Sequence, residues 1–149
     1  PNYSMLNRTI EHGLHNTLAE LGSGCIAFSP LAQGMLTSKY LNGVPQGARA
    51  GGSDPRLSAM LSEENLAKIR ALNAIAEARG QTLAQMAIAW ALRDERVTSA
   101  LIGARTVDQL SDSLRALDNL TFTAQELADI DRYATEGGVD MWRVSSQLK

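Results

Sequence analysis

The sequence predicts an α/β fold with a parallel sheet, and two observations support that prediction. Short apolar runs at residues 3–6, 25–28 and 97–102 alternate with longer segments that have helical periodicity. The links between the first run, the first helical segment and the second run are short, as in a βαβ unit. Because three strands with helices on both faces make a poor freestanding sheet, the sequence favours the last portion of a larger α/β barrel.

The first βαβ unit is predicted from residues 3–28. Residues 3–6 form a short strand candidate, and residues 9–21 predict an amphipathic helix because apolar side chains recur every three or four positions. The Gly-Ser-Gly segment that follows ends the helix. The second strand, residues 25–28, stops before Pro30, because proline has no N–H to donate to a strand ladder.

The next two helices are predicted from their caps. Residues 42–58 are rich in Gly, Pro, Ser and Arg without periodicity, which is typical of a lid or a disordered loop. Ser62, followed by two glutamates, caps a helix with an apolar stripe that closes at Gly80. Thr82 caps a second helix that runs to about Arg93.

The last part of the chain repeats the strand-to-helix pattern. Residues 97–102 form the third strand candidate, and Thr106 caps a helix with leucines on one face. Thr123, with a glutamate three residues later, fits a capping box and opens a final helix to about Ala134. The tail from residue 136 shows no clear pattern, although it contains Trp142.

Composition excludes several classes of function. The chain has 149 residues, 44% of them apolar, and a formal net charge of −2, which gives no global reason to bind nucleic acid or an anionic membrane. No apolar stretch approaches the ~20 residues of a membrane span. The lone cysteine, Cys25, cannot form an internal disulfide and favours a reducing, cytoplasmic location. The chain starts without methionine, almost inside an apolar element, so we expect a fragment of a longer protein.

The segment after the third strand has the features of an anion site. Gly103, Arg105 and the cap residue Thr106 stand where a helix begins, with its unpaired N–H groups and positive dipole end. Arg105 can place two hydrogen bonds on a phosphate. The alternative is an ordinary strand-turn-helix with a surface arginine, because this pattern is short and common.

Five other side chains are candidates, and each has an ordinary structural alternative. Phe28, at the end of the second strand, can lie flat on a heteroaromatic ring or belong to the core. Lys39 and Arg49 flank the long loop and can clamp a pyrophosphate or remain solvated. His15, like the nearby His12, has no carboxylate cluster around it, so we expect a surface residue and not a metal ligand.

The segments YSMLNR, IAFSPLAQGMLTSKY, QTLAQMAIAWAL and SALIGARTVDQLSDSL together resemble the C-terminal half of aldo-keto reductases. The branch most similar to them is related to the voltage-gated potassium channel β subunit and includes reductases of glyceraldehyde 3-phosphate and methylglyoxal. The resemblance covers nearly the whole chain. It implies the C-terminal part of a (β/α)8 TIM barrel, with strands six to eight and their helices supplied by residues 1–149.

The resemblance also implies a binding site for NADPH and a small aldehyde substrate. By position, Phe28 resembles the aromatic residue that stacks on the nicotinamide, and Arg49 resembles the basic residue of the lid. The following residues resemble the remaining contacts to the pyrophosphate and to the 2'-phosphate and adenine: Ser29, Pro30, Leu31, Gly34 and Lys39, then Gly103, Arg105, Gln109, Asp112 and Ser113. Two of these residues depart from the family pattern. Arg105 stands where many relatives have serine or lysine, and Ser113 stands where asparagine is common. A homo-oligomer is implied for the full-length protein.

The family's catalytic tetrad of Asp, Tyr, Lys and His has no matching segment in this chain. We therefore expect no catalytic residue here and no aldehyde reduction by the isolated chain. Two alternatives to the enzyme stay open: a nucleotide-sensing regulatory subunit resembling the potassium channel β subunit, and a structural half-barrel without activity.

Overall fold

The computed structural model describes residues 1–43 and 60–136. The chain forms five α-helices and two strands in these ranges: α1 (Leu14–Glu20), β1 (Cys25–Phe28), α2 (Glu63–Ala78), α3 (Leu83–Leu92), β2 (Val97–Leu101), α4 (Val107–Leu114) and α5 (Ala124–Asp131). Short 3-10 helices cover Thr9–His12, Ala32–Gly34, Ser38–Tyr40 and Arg115–Asp118.

The two strands pair in parallel, as the sequence predicts. Cys25 lies opposite Val97 and Phe28 opposite Leu101, with a bulge after Cys25. At this bulge the Cys25 N–H donates to Thr98 Oγ1 at 3.1 Å. Because the pair is parallel, the carboxyl ends of both strands lie at the same edge of the sheet.

The predicted first strand, residues 3–6, is wrong. At the start of the chain, Asn2 bridges to Phe28 of β1: the Phe28 N–H donates to the Pro1 carbonyl at 2.9 Å, and the Tyr3 N–H donates to the Phe28 carbonyl at 3.1 Å. Ser4 and Asn7 then exchange two backbone hydrogen bonds in a tight turn. The Ser4 hydroxyl also accepts from the Leu6 N–H, so local hydrogen bonds replace a strand ladder here.

The predicted helix over residues 9–21 is interrupted. Gly13 has a φ of 142°, which lies outside the helical region and which residues other than glycine rarely adopt. The segment is therefore divided into a 3-10 turn before Gly13 and α1 after it. The interruption also changes where the histidines lie. His15 is 1% exposed and packs edge-on against Tyr3, so the expectation of a surface histidine is wrong for His15, whereas His12 is exposed.

The predicted helix caps are confirmed. The hydroxyls of Ser62, Thr82, Thr106 and Thr123 each accept a hydrogen bond from the N–H three residues later. Thr82 and Thr123 form full capping boxes. The helix that opens at Thr106 ends at Leu114 and continues as the 3-10 helix Arg115–Asp118. The final helix ends at Asp131, three residues before the predicted end.

The core lies between α3, the chain start and α2. It is built from large side chains that are fully buried: Tyr3, Met5, Leu6, Leu36, Ile69, Leu72, Met86, Trp90 and Ile130. Cys25 is buried as well. In residues 1–43 and 60–136, no helix is both long and apolar enough to cross a bilayer.

A polar network surrounds Trp90 at the side of this core. The Tyr3 hydroxyl donates to Glu11 Oε1 at 2.7 Å and accepts from the Arg93 guanidinium at 2.8 Å. Burial is the main reason why the pKa of Tyr3 is raised well above its ordinary value. Burial alone would raise the pKa of Glu11, but hydrogen bonds from Arg8 and Tyr3 outweigh burial, and this pKa is lowered. The network therefore keeps Tyr3 neutral and Glu11 ionised.

His15, next to this network, makes the stability of the fold sensitive to mild acid. Neither ring nitrogen forms a hydrogen bond with a described residue, although Nδ1 lies 3.5 Å from Asp94 Oδ2. Burial lowers the pKa of His15; Asp94 opposes this shift and Arg96 reinforces it. The unfolded chain therefore binds the proton more tightly, so the stability contributed by neutral His15 is fully present above the unfolded pKa of ~6.5 and decreases as the pH falls below it.

We expect the free energy of unfolding of the chain, measured by urea denaturation between pH 7.5 and 5, to decrease below about pH 6.5. In His15→Gln this decrease should be much smaller, because the titrating group is gone. The matched variant His12→Gln, at an exposed position, should keep the decrease. Identical pH profiles for His15→Gln and the unaltered chain would contradict the assignment.

Candidate functional site

Two polar loops leave the sheet at the shared carboxyl edge of β1 and β2. The first loop begins at Ser29, directly after Phe28, and the second begins at Ile102, directly after Leu101. Phe28 and Leu101 are register partners, so the two loops start side by side. In α/β proteins, ligands bind at this edge of a parallel sheet.

The first loop contains an unusual concentration of left-handed backbone. Ser29, Ala32 and Gln33 have φ values of 57°, 47° and 60°, and they are the described non-glycine residues with positive φ. Gly34 follows with a φ of 89°, and a Cβ added there would meet no other atom, so glycine serves the backbone angle and not the space. Strained backbone of this kind is concentrated at ligand sites in proteins.

Hydrogen bonds within the first loop hold its conformation. Ala32 N–H donates to the Ser29 carbonyl at 3.0 Å, and the Leu31 carbonyl accepts from both Gly34 and Leu36. The Gln33 amide donates to the Ser29 hydroxyl at 3.2 Å. Pro30, between these residues, is buried and Leu31 is half-buried, so the loop is anchored to the core.

Lys39 lies on the 3-10 helix Ser38–Tyr40 at the far end of this loop. Thr37 caps that helix by accepting from the Lys39 N–H at 3.3 Å, and its own hydroxyl donates to the Gly34 carbonyl at 2.7 Å. Lys39 is exposed, and its amino group lies 5.1 Å from the centre of the Tyr40 ring. Arg49, the other predicted cation of this region, lies outside the described residues.

The second loop leads directly into α4. Gly103, Arg105 and Thr106 are all exposed, and Thr106 caps the helix. Gln109 folds back from the helix, so that its Oε1 accepts from the Arg105 N–H at 2.9 Å. This contact fixes the loop backbone at the residue that carries the guanidinium. An exposed guanidinium at a helix N-terminus suits a phosphate.

The last two predicted residues lie further along α4. Asp112 accepts from the Gln85 amide of α3 at 2.6 Å. Ser113 lines a groove of about 410 Å³ between α3, β2 and α4, whose walls include Ile88 and Leu114. The structure thus starts the two loops side by side at one edge, whereas Asp112 contacts α3 and Ser113 lines the groove.

Gln85 is the residue at this site that sequence reasoning missed. Its capping box with Thr82 could be predicted from the sequence, because a threonine followed three positions later by a glutamine is the usual pattern of such a box. Its second contact, to Asp112, joins residues 27 positions apart and leaves no local pattern.

The chemistry of this edge suits an anionic ligand with an aromatic part. Phe28, the last residue of β1, is half-buried there, and Lys39 and Arg105 are exposed cations on the two loops. In the described ranges, no group of three His, Cys, Asp or Glu side chains is placed to hold a metal ion. The two exposed cations suit the phosphate groups of an anionic ligand.

Comparison with known proteins identifies the family. The model of the aldo/keto reductase family matches residues 1–135. L-glyceraldehyde 3-phosphate reductase of Escherichia coli (strain K12) is 49% identical over 154 aligned positions, which cover 98% of this chain and 44% of that protein. The protein of the same name from Escherichia coli O157:H7 matches equally. The chain thus spans less than half the length of these relatives, and it belongs to the aldo/keto reductase family.

Proposed function

We propose that this chain supplies most of an NADPH site and that its parent protein is an oxidoreductase of small aldehydes, such as glyceraldehyde 3-phosphate or methylglyoxal. The observation that carries the proposal is the pair of loops at one sheet edge. One is fixed by left-handed backbone, and the other presents Arg105 at the start of a helix. The 49% identity to a glyceraldehyde 3-phosphate reductase supports the substrate class.

Within this proposal the first loop holds the middle of the dinucleotide. Phe28 stacks on the nicotinamide, while Ser29, Pro30, Leu31 and Gly34 lie along the pyrophosphate. The exposed side chain of Lys39 and the Arg49 side chain add positive charge. This assignment is supported by the preorganised backbone, because a loop already held in its binding conformation loses little entropy when a ligand binds.

The second loop holds the adenosine end in the same proposal. Arg105 would pair with the 2'-phosphate, Gly103 belongs to the same loop, and Gln109, Asp112 and Ser113 would form the side of the site next to the adenine. Gln109 and Asp112 already hold the loop and α4 through their own hydrogen bonds. This half of the site gives the preference for NADPH over NADH, since only NADPH carries the 2'-phosphate.

The role of this chain in the reaction is to bind and orient. NADPH supplies a hydride to the aldehyde carbon, and the acid that protonates the carbonyl oxygen is not among the residues matched here. We place β1 and β2 as strands seven and eight of a (β/α)8 barrel, and the start of the chain, where Asn2 bridges in parallel to Phe28, as the end of strand six. We also propose that the full-length protein is a cytoplasmic homo-oligomer that binds neither nucleic acid nor membranes.

Titration of the 149-residue chain with NADPH, followed by quenching of protein fluorescence, tests the proposal. Saturable binding is expected, with weaker binding of NADH because the 2'-phosphate is missing. Addition of methylglyoxal should cause no measurable oxidation of NADPH, because the chain has no match to the catalytic tetrad. Equal affinity for the two nucleotides would overturn the assignment of the second loop, and steady turnover would overturn the assignment of the acid to residues outside the chain.

The structural half-barrel is the second candidate, and one observation favours it. None of the residues of α4, all of which are described, is buried, so the adenosine side of the site is weakly packed. If the titration shows no saturable change with either nucleotide, this candidate is supported and the binding proposal fails for the isolated chain.

A further inference from the structure

Helix α4 has little apolar packing to fix its position. Its side chains Val107, Leu110 and Leu114 are 78%, 43% and 53% exposed. A helix of only eight residues is unstable on its own, so tertiary contacts must hold it. The position of the predicted phosphate loop, which leads directly into α4, depends on those contacts.

Gln85 provides one such contact and also caps its own helix. Its amide nitrogen donates to Asp112 Oδ1 at 2.6 Å, and its amide oxygen accepts from the Thr82 N–H at 3.0 Å. The Thr82 hydroxyl lies 3.5 Å from the other Asp112 oxygen. Gln85 is 7% exposed and Asp112 is half-buried, so their short contact is partly shielded from water.

We infer that Gln85 is a positioning residue for the adenosine end of the nucleotide. The connection runs from the amino end of α3, through Gln85 and Asp112, to α4. From α4 it continues through Gln109 Oε1 to the Arg105 N–H, 2.9 Å away, in the loop that carries the phosphate-binding side chain. The inference rests on the proposed function, because it concerns the same nucleotide site.

The capping role of Gln85 and its contact to Asp112 use different atoms of the amide, the oxygen and the nitrogen, so a substitution can remove one and keep the other. Glutamate at this position keeps an oxygen to accept from Thr82, so the cap of α3 is preserved. It loses the donor to Asp112 and places a second carboxylate beside the first, which is destabilising at this distance. Gln85→Glu should therefore release α4 and leave the rest of the fold intact.

The first test measures the affinity of the 149-residue chain for adenosine 2',5'-bisphosphate, together with hydrogen exchange. For Gln85→Glu we expect about a ten-fold rise in Kd and faster exchange in Val107–Leu114. Exchange in Glu63–Ala78 and the urea midpoint should change little. The matched control is Gln125→Glu, which alters an exposed amide that donates to Asp129 at 3.0 Å on α5 and should leave affinity unchanged.

The second test is rescue by a complementary change. In the Asp112→Asn background, the new asparagine amide can donate to the carboxylate that Gln85→Glu introduces. Gln85→Glu should then raise Kd by less than about three-fold over Asp112→Asn alone. An equal effect of Gln85→Glu in both backgrounds, or unchanged exchange of α4, would overturn the inference. If the unaltered chain binds no nucleotide, the proposed function fails, and the exchange comparison still decides whether Gln85 holds α4.

Discussion

Replacing Trp90 with alanine is expected to lower the free energy of unfolding by about 3–5 kcal/mol. The indole is fully buried on α3, and its ring centre lies 5.1 Å from that of Tyr3. The guanidinium carbons of Arg93 and Arg8 lie 3.7 Å and 5.3 Å from the ring centre. Truncation would leave a cavity in the core and remove the aromatic surface on which both cations rest.

Urea denaturation followed by far-UV circular dichroism would measure this loss. Trp90→Phe is the informative companion, because it keeps an aromatic ring and removes the indole N–H, which is buried and has no partner among the described residues. We expect it to cost less than about half as much as alanine. A cost below about 1 kcal/mol for Trp90→Ala would show that the site collapses without a cavity.

Replacing Arg105 with glutamine is expected to weaken NADPH binding by about 10- to 100-fold and to change NADH binding by less than about two-fold. In the proposed site, the substitution would remove a charged side chain that can place two hydrogen bonds on the 2'-phosphate. Arg105 is exposed, so its replacement should leave stability unchanged and the effect should lie in binding alone. Fluorescence titration with both nucleotides gives the comparison.

The matched control for this prediction is Arg115→Gln. Arg115 is also exposed and lies on the 3-10 helix after α4, so the change in net charge is identical. A small, equal effect on both nucleotides is expected for it, due to the overall field of the protein. If Arg105→Gln weakened NADPH and NADH equally, the guanidinium would not be the group that recognises the 2'-phosphate.

The parts of the fold that follow local rules could be predicted from sequence. The four caps, at Ser62, Thr82, Thr106 and Thr123, depend on residues three positions apart, and all four are confirmed. The parallel pairing of the two clear strands follows from the helical segments between them. The errors arise where local signals compete. Residues 3–6 look like a strand, but the hydrogen bonds of the Ser4 backbone and hydroxyl form a turn.

The candidate site was predictable in its location and less so in its detail. Ser29 and Arg105 both come shortly after the end of a predicted strand. Because the carboxyl ends of parallel strands lie together, this position predicts that the two loops start at the same edge of the sheet. The left-handed backbone at Ala32 and Gln33 has no sequence signal, since neither residue type favours it strongly. The contact between the Gln85 amide and α4 depends on how α3 packs against that helix. The ligand contacts themselves stay predictions.

The positive φ angles in the first loop determine whether a glycine substitution there would change stability or ligand binding. Ser29, Ala32 and Gln33 hold positive φ values at a cost of about 1 kcal/mol each. Glycine would relieve that cost, but it also raises the entropy of the unfolded chain by a similar amount. The two backbone terms therefore nearly cancel at the exposed Gln33, whereas Ala32→Gly would also remove a buried methyl group and Ser29→Gly the hydroxyl that accepts from Gln33. Selection for heat resistance would hardly detect Gln33→Gly, whereas selection for tight binding would, because the substitution widens the range of conformations of the empty loop.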